Sequence, residues 1–70
     1  MKVVLVSIDN KESYEDNLVL PVVVCANMQK ALEYIDSHPI TPDVFKSVFH
    51  YPMTWAKDAQ YTLEFIEVYQ

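Results

Sequence analysis

Three residue types in this chain could do chemistry: one thiol, Cys25, two histidines, His38 and His50, and ten carboxylates. Nucleophilic catalysis by a thiol needs an imidazole beside it to take the proton. Cys25 instead closes the apolar stretch Leu18–Cys25, no catalytic signature flanks it, and a free cysteine in such a setting packs. A zinc centre needs three or four ligands at recognisable spacing, and Cys25, His38 and His50 form only a scattered trio. His38 reads better as the end of a helix, where positive charge meets unpaired carbonyls. Acid–base catalysis needs two carboxylates converging on one site. Glu64 and Glu67 fall on opposite faces of a strand, Glu33 and Asp36 ride on a solvated helix face, and Glu15-Asp16 lie in a loop. The expectation is a protein that is not an enzyme and holds no cofactor or metal.

The aromatic segment Phe45–Trp55 is richer. Phe45, Phe49, Tyr51, Met53 and Trp55 lie close together beside prolines, and aromatics with methionine are enriched at protein interfaces. Phe45 and Phe49 are assigned to the core. Tyr51, Met53 and Trp55 are open between core and interface; joined by Tyr14, Glu15 and Asp16 of an acidic loop, they make up an expected partner-binding surface for a basic protein target.

The elements that must position these residues are legible from pattern. Lys2–Ile8 is β-branched and apolar on both faces, which reads as a central strand covered on both sides. Asp9–Asn17 is a polar loop with four carboxylates against one lysine. Leu18–Cys25 is a second strand whose Pro21 belongs on an edge with its nitrogen facing outward. Asn27 caps a helix that ends near His38-Pro39, with Met28, Ala31, Leu32 and Ile35 as its apolar stripe. Thr41, Pro42 and Asp43 suit a second helix start, with Val44, Phe45, Val48 and Phe49 on one side and His50-Tyr51-Pro52 closing it. Met53–Gln60 is irregular or one helical turn, and Tyr61–Gln70 is the third strand.

The predicted fold is α+β: one small domain, residues 1–70, of β-β-α-(α)-β layout. A right-handed crossover from the second strand to the third puts the first in the middle of a three-stranded antiparallel sheet of order 2-1-3, with the helix on one face. What covers the other face is left open between the Pro42–His50 helix, a second chain and a target.

Composition excludes several function classes. Seventy residues with 51% apolar content suffice for one modest core and argue against disorder. Glycine is absent, where average usage of roughly 7% would give about five, so no phosphate-cradling glycine loop exists. Turns must then fall on Asp9-Asn10, Asp16-Asn17 and the prolines, Asn and Asp being the residues that best tolerate left-handed angles. All five basic residues are lysines, and the net charge is −5, which argues against direct nucleic-acid binding. No run approaches the roughly 18–20 apolar residues of a membrane span, and the start of the chain lacks a signal-peptide pattern. A single cysteine fits a reducing compartment, so a soluble cytoplasmic protein is expected.

The succession of Val3–Ile8, an acidic turn, and Val22–Ile35 with Asn27, Lys30-Ala31-Leu32 and Tyr34-Ile35, closed by Tyr61–Tyr69, resembles small phage-encoded accessory proteins. That resemblance implies a protein that binds and blocks a host or bacterial defence protein, anti-CRISPR-like in manner, working in the host cytoplasm. The Pro39–Pro52 segment is longer than the type suggests and marks where specificity of its own would lie. The leading expectation is thus a non-enzymatic protein-binding inhibitor. The alternatives are an acidic decoy mimicking nucleic acid and a homodimeric structural or regulatory protein.

Overall fold

β1 spans Lys2–Asp9 and lies between β2 (Val19–Cys25) and β3 (Gln60–Glu67). Both pairings are antiparallel, so the sheet has the expected order 2-1-3. The computed structural model describes the backbone of residues 1–12, 14–55 and 57–69, and the side chains of these apart from Tyr14 and Trp55.

Register assigns the faces. β1 pairs with β3 without interruption from Lys2↔Glu67 to Asp9↔Gln60. With β2 it runs from Val4↔Cys25 to Val6↔Val23, then resumes at Ser7↔Pro21, so Val22 is an extra residue forming a bulge. The cause lies next door: Pro21 has no N–H to give a ladder. Beyond the bulge, Asn10 N–H donates to the Leu18 carbonyl at 3.0 Å. Hydrogen-bonded and non-bonded pairs alternate from there, which places Pro21 opposite Ser7 in a non-bonded pair with its nitrogen facing outward. The edge role expected for Pro21 is its observed one.

α1 covers Met28–Ser37, and its N-cap Asn27 accepts from Lys30 N–H at 2.9 Å. The buried arc of this helix is centred on Ala31, flanked by Met28, Tyr34 and Ile35. Leu32, expected in the apolar stripe, is instead half exposed, at 53%. A small residue at closest approach lets the helix settle onto β1, and the buried arc extends from Ala31 toward Tyr34, on the flank opposite Leu32. α2 covers Pro42–Phe49, with Thr41 as N-cap and Pro42 in its first turn, as the sequence predicts. A single 3₁₀ turn, Met53–Trp55, leads to β3.

Both helices occupy one face. Val4 and Val6 of β1 pack under Ala31, while Ile8 packs under Phe45 and Phe49 of α2; Val22 and Tyr61 touch both groups. Because Val4, Val6 and Ile8 alternate onto the same side, α2 extends the layer of α1 and does not cover the opposite face. There Val3 and Leu5 are half-buried, Val19 and Val24 are exposed, and no helix among the described residues packs on them. The central strand is therefore apolar on both faces but roofed on only one. Ser7, at 6% exposure, is shielded on that side between the flanking Pro21 and Thr62.

Candidate functional site

The loop after β1 is organised by Asn10, whose side chain is fully buried. Its two amide protons go to the Asp16 carbonyl, at 2.9 Å, and to the Tyr51 hydroxyl oxygen, at 2.8 Å. Its Oδ1 accepts from Leu18 N–H at 2.9 Å, and from Glu12 N–H and Asn17 Nδ2 at 3.2 Å. A buried amide must have its donors and acceptor used, and here all are. The consequence is positional: the acidic loop and the segment after α2 are locked together.

Asp9 supports the same loop. Its Oδ1 accepts from Lys11 N–H at 2.8 Å and from Asn17 Nδ2 at 2.9 Å. The Lys11 backbone donor first and the Asn17 amide second hold the Asp9 carboxyl below its usual range, with the Lys11 ammonium adding a little. The chain turns at Lys11, which takes a left-handed φ of 57°. His50, ending α2, takes the other, at 66°. Left-handed angles thus fall on Lys11 and His50 and not on Asn or Asp. The Asp and Asn side chains are spent on hydrogen bonds that close the turn around Lys11.

Next to this hub lies a cavity of about 320 Å³ lined, among the described residues, by Glu12, Asp16, Leu18 and Tyr51. Glu12 Oε1 is shielded from solvent and has no hydrogen-bond partner among the described residues. A shielded carboxylate oxygen without a donor is costly, and a carboxylate lining a cavity is a natural partner for an ammonium or guanidinium group. Leu18 and the Tyr51 ring offer apolar walls for the aliphatic stem of such a side chain.

Of the residues expected at a partner-binding surface, the structure brings Asp16 and Tyr51 together. Glu15 is exposed beside Asp16 in the 3₁₀ turn Tyr14–Asp16. Met53 stands apart, half-buried against the Phe45–Phe49 core and facing a different groove with Pro42, Asp43, Lys46 and Lys57. The side chains of Tyr14 and Trp55 lie outside the described residues. Sequence reasoning missed Asn10, Glu12 and Leu18. An Asn directly after an apolar strand reads as a turn residue, and no local signal pairs it with a tyrosine 41 positions away.

The residues weighed for catalysis do not converge. Cys25 is half-buried against the cluster under α1. His38 stacks on Tyr34 with ring centroids 4.0 Å apart, and its Nδ1 lies 2.9 Å from the Tyr34 carbonyl, an acceptor only, which assigns a proton to Nδ1. No group of three potential metal ligands occurs among the described residues. Nor is any described helix long and apolar enough to cross a membrane. No protein-family model matches the chain, and no curated protein or solved structure matches it either.

Proposed function

We propose that this domain is a non-catalytic protein-binding module that takes a basic side chain of its target into the Glu12–Asp16–Tyr51 cavity. The observation that carries this reading is the pairing of two carboxylates with an aromatic wall in one cavity, held by the buried Asn10. A surplus of five negative charges on a small domain favours encounter with a positive surface. An inhibitor of a host or bacterial defence protein, as the resemblance to phage accessory proteins implies, would act by occupying such a surface. The test is capture of a target by the tagged domain, repeated with Glu12→Gln/Asp16→Asn. The reading requires a partner at near-equal stoichiometry that the neutralised variant loses; equal capture by both proteins defeats it.

A further inference from the structure

The two edges of the sheet are not alike. β2 carries Pro21 and the Val22 bulge, both of which discourage a further strand. β3 has neither: its eight residues pair with β1 in unbroken register and contain no proline or lysine. Its phase is set by Val68 N–H, which donates to the Met1 carbonyl at 2.7 Å. Continuing the alternation from that pair, Val3–Ile66, Leu5–Glu64 and Ser7–Thr62 are the hydrogen-bonded pairs. The backbone groups of Tyr61, Leu63 and Phe65 therefore point away from β1, toward the open edge. Their side chains lie on the helix-bearing face, where Leu63 is 37% and Phe65 59% exposed.

This row is complementary to itself. Placing a second β3 antiparallel about a two-fold axis at Leu63 sets Leu63 opposite Leu63 of the second copy and Phe65 opposite its Tyr61. On the other face the same register sets Glu64 opposite Thr62, so the two Glu64 carboxylates do not oppose one another. Centring the axis one residue later would bring Glu64 against Glu64, which like-charge repulsion disfavours. We propose that β3 pairs with β3 of a second copy in the Leu63-centred register, making a continuous six-stranded sheet. The contact is smaller than a standard interface, so association belongs to the weak, concentration-dependent class. With five negative charges on each copy, it strengthens as salt is added. It uses none of the residues that line the Glu12–Asp16–Tyr51 cavity.

Sedimentation velocity from micromolar to millimolar protein tests this. The wild-type mass should rise from 8.2 kDa toward twice that value. Leu63→Pro is the diagnostic variant, because the Leu63 N–H faces the open edge and its loss spares the β1 ladder. It removes both central bonds of the two-fold and should weaken association about tenfold or more. Phe65→Glu changes an exposed side chain and should act alike, which keeps the test valid if the proline variant unfolds. Amide exchange identifies the edge: Tyr61, Leu63 and Phe65 should gain protection with concentration, while Thr62 and Glu64 are protected throughout. A mass fixed at one chain over the whole range overturns the proposal, even if the edge then accepts a target's strand. So does undiminished association of Phe65→Glu.

Discussion

The Asn10 side-chain amide donates to the Tyr51 hydroxyl at 2.8 Å, joining a loop that follows β1 to the turn that follows α2. Neither segment has regular structure of its own at that point. The bond makes them one surface, bringing the acidic loop and an aromatic residue far along the chain together.

Replacing Asn10 with Ala should destabilise the fold by about 1–3 kcal/mol, because it strands several buried partners at once. Tyr51→Phe should cost less, as it removes only one of them. A double-mutant cycle read by urea denaturation should show positive coupling between the two positions. Strict additivity would mean that the bond holds nothing together.

The core is expected to be sharply graded. Phe45 of α2 is fully buried, and Phe45→Ala should cost about 3–5 kcal/mol, a large part of the stability of so small a domain. Leu32→Ala, despite an apolar side chain on α1, should fall within about 0.5 kcal/mol of wild type. A Leu32→Ala cost as large as that of Phe45→Ala, read from urea midpoints, would put Leu32 back in the buried arc of α1.

How far the sequence was readable follows from cases like this. The strands, both helix caps, the edge role of Pro21 and the order 2-1-3 rest on local chemistry or connection rules, and the structure has them all. The stripe of α1 was misjudged at Leu32, which lies on the outer flank while Tyr34 lies on the inner one, since the apolar pattern alone does not say to which flank of Ala31 the helix leans. The uncovered face of β1 could not be foreseen either: apolar residues on both sides of a strand state a need, not what meets it. Of the site, Asp16 and Tyr51 were legible as acid and aromatic. Their meeting was not, because it depends on Asn10, a long-range contact with no periodic signature.

Backbone strain at His50 gives a stabilising substitution. A left-handed φ costs a non-glycine residue about 1 kcal/mol, so His50→Gly should raise stability by up to about that amount. The thermal midpoint should rise; an unchanged or lower value would mean that the His50 side chain contributes more than its backbone costs.

Stability should respond to pH at both extremes. Asp9 is held below its ordinary 3.8, so its contribution is complete above that value and is lost as pH falls below it. Asp9→Asn should lack that part of the acid slope. Burial first, and the neighbouring Tyr34 second, push the Tyr61 hydroxyl above its ordinary 10.0. Its O–H donates to the His38 carbonyl at 2.6 Å, a bond the phenolate could not make. Above pH 10.0 the unfolded chain therefore ionises first and stability falls, a slope that Tyr61→Phe should flatten. Urea midpoints across the pH range read both effects.

We propose that the Glu12–Asp16–Tyr51 cavity receives a basic group of a protein target. The most direct test is a tagged pull-down from bacterial lysate with wild type and Glu12→Gln/Asp16→Asn side by side, at low and raised salt. One partner should appear at near-equal stoichiometry on the wild type, weakened by salt and reduced about tenfold or more on the variant. A partner retained equally by both proteins, or no partner on the wild type at low salt, would contradict it.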